Sequence, residues 1–474
     1  DIQRKTTQAF YIAEAGIEQA IYDLREDFFN DATDPTWTDG ITIGTTTYGP
    51  NTSAFYTIYS ATAFPSGAYT GSFSKTGTNN YTVSLMNVSS SEDMWVRSIG
   101  VVDGVSQTIQ LYVRMVNISP WNNAIFGGAG SAGGMVNGNV NIAGSVHILG
   151  NGLADGDNAI DLGGTAELVS NNYSGLENSL QDKIPALPTT VVSGETVSTL
   201  SAELRVKNGL VGLSGSSTVG AANVNGNSYK ETVDGAYVTD GYNGNQGTAN
   251  VYSDNGTSEG YDLGDAVSFP DLSDPYGVYT DYYDYFDQTG YTPTAGQMAT
   301  LADIDPSGAD FEYGPTSNCA VDTNCIKMES GVLTVKGKIY INGGTLGISG
   351  DTVEYTGSGT ILVTGDVNID EDLVTQGDDS FPNNIMAIMT PGNINIGAGS
   401  GAANLDVMGL FYAENQIEVA KQTDLVGTIV TNYFDLTGQV PSVFQVPDTA
   451  DNLPDGIISS EPIWLIKIVS WQKI

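Results

Sequence analysis

The chain has 474 residues, of which 55 are acidic and 16 basic, and its formal net charge is −39. A surface with this charge repels nucleic-acid phosphates and anionic lipid headgroups, so we exclude nucleic acid as a partner. The hydrophobic content of 40% is sufficient for a folded core and excludes a wholly disordered chain. Such a balance is typical of a secreted, soluble protein and suits the binding of divalent cations.

The first element in chain order is an amphipathic helix predicted over residues 3–29. Its apolar residues recur at intervals of three and four along one face: Phe10, Ala13, Ile17, Ala20, Ile21, Leu24 and Phe28. Glu14 and Glu18 lie largely off that face. Gly16 costs about 1 kcal/mol relative to alanine within a helix, so we expect it to permit close packing. Pro35 and the surrounding turn residues end the helix.

Alternating strands follow the helix. They are predicted at 55–63, 81–88, 95–104 and 106–116. The last two flank a VVDG turn, which is typical of a hairpin. We expect a small antiparallel sheet packed on the apolar face of the helix, together forming a domain of residues 1–120.

From residue 124 onward, short apolar pairs are separated by glycine and asparagine. Ile341, Ile369, Ile396, Val419 and Leu436 occupy similar places in five such segments, at separations of 28, 27, 23 and 17 residues. An irregular repeat of about twenty residues predicts a β-solenoid, in which each repeat forms one coil of short strands. The alternative is an ordinary β-sandwich, for which we would expect more two-residue Asn-Gly turns.

The predicted fold is therefore mainly β, with the helix and sheet followed by a β-solenoid region over residues 121–474. The region is interrupted by an irregular, Tyr/Asp-rich insertion around 165–330. The final segment, 463–474, is predicted to be a strand that pairs with a sheet or closes the solenoid.

The insertion supplies a candidate carbohydrate-binding surface. Residues 237–291 hold 10 of the 25 tyrosines, and the candidate ligand-binding residues are Tyr276, Tyr279, Tyr282, Tyr283 and Tyr285. Exposed tyrosine faces can stack on sugar rings while neighbouring aspartates accept hydrogen bonds from sugar hydroxyls. The alternative is that these rings pack against the flank of the solenoid.

A loop at 151–164 is a candidate calcium site. It places four oxygen-bearing side chains between glycines: Asp155, Asp157, Asn158 and Asp161. Calcium takes six to eight oxygen ligands, which short Asp/Asn-rich loops supply. It is not an EF-hand loop, and the alternative is a solvated turn. No other cofactor is indicated.

Two cysteines, Cys319 and Cys325, are separated by five residues. The spacing fits no common zinc pattern, and we expect a local disulfide formed in an oxidising compartment. The alternative is two free thiols.

The sequence argues against an enzyme. Its one histidine, His147, lies inside a strand pattern, and no nucleophile-elbow, P-loop or HExxH motif is present. A β-helix polysaccharide hydrolase would need only two suitably spaced carboxylates, and we rank that hypothesis third. A lyase would also need basic residues, which are scarce here.

The segment QAFYIAEAGIEQAIYDL at 8–24 resembles the N-terminal segment of PilX-type pilus-assembly proteins, the minor pilin-like subunits of type IV pili. The matching residues are Ala9, Phe10, Tyr11, Ala13, Glu14, Ala15, Gly16, Glu18 and Ala20. A looser similarity extends to the segment at 97–113. The resemblance implies a leader and a membrane-spanning stretch before Asp1, which would be the chain's contact with the membrane. It also implies an extracellular, pilus-associated location and other pilin subunits as partners.

The resemblance assigns the assembly role to the helix. The residues concerned are Phe10, Ala13, Glu14, Gly16, Ile17, Glu18, Ile21 and Leu24. The leading hypothesis is a minor pilin-like subunit whose β-solenoid head attaches to a surface or another cell. The alternative is a polysaccharide-binding adhesin, by architectural analogy with the cellulose-binding tāpirins.

Overall fold

The structure is a computed structural model that describes most of the chain. The described residues are 2–30, 37–63, 79–88, 93–131, 139–153, 157–192, 195–208, 210–213, 216–219, 238–239, 267–399, 401, 403–436, 440–461 and 463–474. Strands account for 46% and helices for 15%, which confirms a mainly β protein with an N-terminal helix and a small antiparallel sheet. The chain forms two compact units, Asp1–Asn117 with Trp464–Ile474, and Ile118–Ile463.

The first unit contains one long helix and a five-stranded antiparallel sheet. Helix α1 spans Ile2–Asn30. The strands are β1 Ile41–Ile43, β2 Thr46–Tyr48, β3 Tyr56–Ala63, β4 Asn79–Asn87, β5 Asp93–Val102, β6 Val105–Asn117 and the C-terminal strand Trp464–Lys473. The sheet order is β3, β4, β5, β6 and the C-terminal strand, while β1 and β2 form a separate hairpin.

Strands β5 and β6 form the predicted hairpin. Val102 pairs with Val105 across a two-residue turn. Asp103 and Gly104 both have positive φ angles, of 46° and 82°. A type I′ turn requires positive φ at both central residues, and its twist matches that of the flanking strands.

Helix α1 lies against this sheet through residues spaced by three and four. Its buried apolar side chains are Ala9, Ile12, Ala13, Ile17, Ala20, Leu24 and Phe28. Close approach depends on glycine in both elements. A β-carbon on Gly100 would lie 2.1 Å from the carbonyl oxygen of Ala9, and one on Gly16 would lie 2.4 Å from Ser98 Oγ. The small residues therefore let helix and strand backbones meet.

The C-terminal strand belongs to the first unit. Leu465 pairs with Val116 and Lys473 pairs with Ile109, both in the antiparallel sense. The Trp464 ring packs against Phe28, with ring centroids 4.8 Å apart. The sequence pattern assigned all of residues 121–474 to one region. That assignment is wrong for residues 464–474, because this strand completes the sheet of the first unit.

The second unit consists mainly of short strands, which run from Ile125 to Phe444. They are β7 Ile125–Ser131, β8 Asn141–Ala143, β9 Val146–Ile148, β10 Asn158–Leu162, β11 Glu167–Ser170, β12 Thr189–Val192, β13 Glu195–Ser198, β14 Leu204–Val206, β15 Leu210–Leu213, β16 Thr218–Val219, β17 Val238–Thr239, β18 Phe311–Tyr313, β19 Cys325–Glu329, β20 Val332–Ile341, β21 Leu346–Ile348, β22 Val353–Thr356, β23 Ser358–Val363, β24 Val367–Ile369, β25 Leu373–Thr375, β26 Ile385–Thr390, β27 Asn393–Ile396, β28 Asn404–Val419, β29 Gln422–Asp435 and β30 Ser442–Phe444. Its helices are α2 Asn178–Gln181, α3 Tyr282–Thr289 and α4 Ala295–Leu301, with 3₁₀ turns at Pro120–Asn122 and Pro447–Asp451.

Most of these strands pair in parallel, with apolar residues stacked in register. One column runs through consecutive pairings: Ile339, Ile361, Ile388, Phe411, Ile429, Ile125, Val146 and Leu204. All eight side chains are buried. Burial on successive strands of one face produces the continuous core that a single short strand cannot form.

The stacking order differs in two respects from the order suggested by the sequence. Ile369, Ile396 and Val419 do stack in register, but Ile348 rather than Ile341 precedes them. Ile341 pairs instead with Val363. Strand β7, which follows the first unit along the chain, pairs with β29 and β9. Residues about 300 positions apart in sequence are therefore neighbours.

The span 165–330 is only partly an insertion. Strands β11 and β14 pair in parallel with β8 and β9 and so belong to the stacked strands. Strands β18 and β19 form an antiparallel extension on β20. Tyr237, Tyr242, Tyr252 and Tyr261, which contribute to the predicted tyrosine-rich stretch, lie outside the described residues.

Candidate functional site

The predicted assembly residues occupy both sides of helix α1. Ala13, Gly16, Ile17 and Leu24 are buried against the sheet of their own unit. Phe10 and Ile21 are half-buried and pack against the same core. Glu14 is half-buried and Glu18 is exposed. The apolar stripe therefore holds the helix on its sheet, and the opposite side of the helix is available for other contacts.

That opposite side carries two tyrosines that the predicted set of assembly residues did not include. Tyr11 is 62% exposed and Tyr22 is 59% exposed. They are eleven residues apart, which is about three helical turns, so they lie on the same side. Glu18 lies one turn before Tyr22 along this surface. The signal in the sequence was two large aromatic residues outside the buried stripe.

Two acidic residues of α1 fix the helix position through buried polar contacts. Asp23 accepts a hydrogen bond from the Tyr59 hydroxyl at 2.5 Å. Asp27 accepts one from the backbone N–H of Thr42 at 2.6 Å. Burial together with the neighbouring Asp23 raises the pKa of the Tyr59 hydroxyl above its ordinary value. These contacts bind the helix to β3 and to the hairpin before it.

Four of the five candidate carbohydrate-binding tyrosines, Tyr276, Tyr279, Tyr282 and Tyr285, form a packed aromatic cluster on and before helix α3. Tyr282 and Tyr285 are buried, while Tyr276, Tyr279 and Tyr283 are half-buried. The Tyr276 ring centroid lies 4.7 Å from that of Tyr282 and 4.6 Å from that of Tyr285. Tyr282 and Tyr285 therefore lack exposed faces for stacking on sugars, and only the half-buried rings offer part of theirs.

The cluster is positioned by the start of α3. Asp281 caps the helix by accepting a hydrogen bond from the backbone N–H of Asp284 at 2.7 Å. Lys338 Nζ lies 5.0 Å from the centroid of the Tyr285 ring and pairs with Asp455. This cation holds the buried side of the cluster against β20.

The candidate calcium loop is only partly described. Asp155 lies outside the described residues, whereas Asp157 and Asn158 are exposed and Asp161 is half-buried in β10, which pairs with β15 in a separate two-stranded sheet. In the described part of the chain, no group of three or more His, Cys, Asp or Glu side chains is arranged to hold a metal ion. Calcium binding by this loop stays a prediction.

A row of carboxylates lies on neighbouring parallel strands of the second unit. Asp406 pairs in register with Asp424, and the backbone N–H of Asp406 donates to Asp372 at 2.9 Å. Desolvation, with added repulsion from Asp372, Glu177 and Asp424, raises the pKa of Asp406 to about 6. Desolvation followed by repulsion from Glu177 also raises the pKa of Asp424 to about 6. The repeated sequence pattern DVMG and DLVG marks this pair.

The remaining predicted residues have structural positions. Cys319 and Cys325 are joined by a disulfide, with their Cα atoms 5.6 Å apart. His147 is buried in β9, and its ring packs edge-on against Phe126 with centroids 5.3 Å apart. Across the described residues, no helix is both long and apolar enough to cross a membrane.

The first unit is a long N-terminal helix packed on an antiparallel sheet, and in sequence the second unit, Ile118–Ile463, lies between β6 and the C-terminal strand. Comparison with a solved structure shows that this is a type IV pilin-like fold. A solved structure that resembles the chain is the competence-associated pilin ComZ from Thermus thermophilus, at a TM-score of 0.54 and 18% identity. The match covers 99% of this chain and 97% of that one. At this identity the likeness concerns the fold. No protein-family model and no curated protein matches the chain.

Proposed function

We propose that the protein is a minor pilin-like subunit of a type IV pilus, with a structural role and no enzymatic one. The observation that carries this proposal is the packing of α1 on a sheet that the C-terminal strand completes, in a fold shared with a pilin over almost the full chain. The PilX-like segment at 8–24 supports it independently of the fold. The location that follows is the cell surface, with other pilin subunits as partners.

The second unit supports a displayed head. We interpret its parallel, in-register columns as the coils of a β-solenoid, which is a rigid and extended way to present a surface. In this interpretation the head attaches the pilus to a surface or another cell. The proposed head is strongly acidic, since 43 of the 55 acidic residues belong to the second unit.

The proposal is tested by recovering pili sheared from the natural host. A tagged wild-type chain should co-purify with pilus filaments, because α1 connects it to neighbouring subunits. Tyr22→Arg should reduce the recovered amount severalfold, since the substitution places a cation on the exposed side of α1. Val321→Arg, at an exposed position of the second unit, is the matched control and should leave recovery unchanged. Equal recovery of both variants, or no wild-type protein in the pilus fraction, contradicts the proposal.

Polysaccharide binding is a second candidate, supported by the half-buried rings of Tyr276 and Tyr279 beside the fully exposed Val278. A pull-down on cellulose and chitin, with bare glass as the control surface, tests it. Tyr279→Ala should weaken capture by the polysaccharide. Equal capture by glass and polysaccharide, or capture unchanged in the variant, argues against a sugar site.

A further inference from the structure

Exposed apolar side chains are concentrated in the first unit. Of the nine large hydrophobic residues that are exposed in the described part of the chain, six belong to this unit: Ile2, Tyr11, Tyr22, Ile468, Trp471 and Ile474. All six lie on α1 or on the C-terminal segment. The C-terminal strand is an edge of its sheet, so its outer side is not covered by another strand among the described residues.

Contacts bring the start of α1 and the end of the C-terminal strand together. The Phe10 ring lies edge-on to Trp471, with centroids 6.2 Å apart. Lys473 Nζ lies 5.5 Å from the centroid of the same Phe10 ring. The backbone N–H of Ile474 donates to Thr108 O at 3.0 Å, which holds the chain end beside β6. One end of the unit therefore presents aromatic and aliphatic side chains together.

The charge of this end differs from that of the chain as a whole. The first unit holds eight of the 16 basic residues but only 12 of the 55 acidic ones. Between residues 2 and 13, α1 carries Arg4 and Lys5 and no acidic residue; Asp1 precedes this stretch in the sequence, and the next acid is Glu14. Lys5 pairs with Asp103 at 3.5 Å. At physiological salt, charges act over about 8 Å, so the overall net charge does not describe this surface.

We propose that this basic end, formed by Ile2, Arg4, Lys5, Tyr11, Trp471 and Lys473, binds the surface of an anionic lipid bilayer. Tryptophan and tyrosine favour the headgroup level of membranes, where their rings are apolar and their polar atoms remain hydrated. Lysine and arginine close to the surface are attracted by anionic lipid phosphates. A second copy of the same end fits less well, because its cations would face like charges. The inference does not depend on incorporation into a pilus.

Vesicle sedimentation of the whole chain tests this binding. The vesicles contain phosphatidylcholine alone or with about one-third phosphatidylglycerol. We expect partitioning onto the anionic vesicles to exceed that onto the neutral ones at least tenfold, and to fall as salt is raised. Arg4→Glu and Lys473→Glu should each reduce it about fivefold or more. Trp471→Ser should reduce binding further without changing its salt dependence.

Arg25→Glu is the matched control, because it makes the same charge change at an exposed position in the acidic half of α1. It should leave vesicle binding within about twofold of wild type, and tryptophan fluorescence should show that every variant is folded. Equal sedimentation with both vesicle types, or an equal effect of Arg25→Glu and Lys473→Glu, overturns the proposal. Pelleting without vesicles overturns it in favour of self-association.

Discussion

Replacing Gly16 by alanine separates the helix's own preference from its packing. In an isolated helix this change is favourable by about 1 kcal/mol. In the folded protein the new β-carbon would lie 2.4 Å from Ser98 Oγ, 3.0 Å from Tyr81 Cδ2 and 3.1 Å from a Val83 methyl group. The shortest of these contacts is about 1 Å inside ordinary van der Waals separation.

Overpacking of a dense core typically costs about 1–3 kcal/mol. All three groups that the new methyl meets belong to buried residues, Ser98, Tyr81 and Val83, which leaves little room for relaxation. Subtracting the propensity gain of about 1 kcal/mol leaves a net cost of about 0–2 kcal/mol, and the 2.4 Å contact places Gly16→Ala towards the upper end of that range. Adding Ser98→Ala removes the closest contact, so the double variant should recover part of this loss.

Urea unfolding followed by tryptophan fluorescence measures the effect, because four of the five tryptophans belong to the first unit. Gly296→Ala in helix α4 is the control, since nothing lies within 4 Å of its added β-carbon. Followed by circular dichroism, it should stabilise by up to about 1 kcal/mol. A stabilising effect of Gly16→Ala, equal to that of the control, would refute the close packing of α1 on its sheet.

Three further predictions concern the second unit. Desolvation and neighbouring carboxylates hold the pKa of Asp406 and Asp424 near 6 in the fold, above the ordinary 3.8, so this pair should add stability as the pH falls through 6 and lose it as the pH rises. At about pH 7, Asp406→Asn should raise the free energy of unfolding by about 1 kcal/mol, because solvent screening reduces the ~3 kcal/mol that the shift alone implies. Urea titration at about pH 5 should show roughly half of this gain, and the gain should vanish below about pH 4, where the carboxyl is protonated in the unfolded chain as well. Reduction of the disulfide or Cys325→Ser should cost about 2 kcal/mol from the reopened loop, and an unchanged unfolding midpoint under reductant would contradict this. Tyr282→Ala should lower the free energy of unfolding by about 3 kcal/mol, because its ring is buried. Tyr279→Ala should lower it clearly less, because its ring is only half-buried. Equal unfolding midpoints of the two variants would show that the tyrosine cluster is not packed.

Helix α1 and the face that it packs on the antiparallel sheet were predictable because their determinants are local. The three-and-four spacing of apolar residues identified the buried face of α1, and Gly16 indicated close packing before any contact was known. The β5–β6 hairpin was equally local, since the VVDG turn supplies residues that accept positive φ. Pattern alone did not reveal the partner glycine, Gly100, because its role is defined by the backbone of α1 lying against it.

The stacking of the second unit could not be predicted from the repeat. Hydrophobic spacing indicated short stacked strands, but their order depends on loop paths between distant segments. Ile125 stacks on Ile429, and nothing near either residue specifies that pairing. The prediction that Ile341 stacks with Ile369 was wrong for the same reason. Ile341 ends the long strand β20 and pairs with Val363, and Ile348 of the next strand, β21, pairs with Ile369 instead.

The tyrosine cluster shows a case in which residue type left two interpretations open, an exposed sugar-binding surface or packed rings. The composition of YTDYYDYFDQTG suggests an exposed surface, yet Tyr282, Tyr285 and Phe286 are spaced as one face of a helix. The Asp281 cap begins that helix and turns this face inward. Periodicity therefore favours packing for Tyr282 and Tyr285, whereas sugar binding by the half-buried rings stays a prediction.

The central claim, a pilin-like subunit that contacts its neighbours through the exposed side of α1, is tested most directly by site-specific photo-crosslinking in assembled pili. A photoreactive residue at Tyr22 should yield covalent products with other pilin subunits, identified by mass spectrometry of the filament fraction. The same probe at Val321 should yield none. Crosslinks from Val321 but not from Tyr22, or no pilin product from either position, would contradict the account.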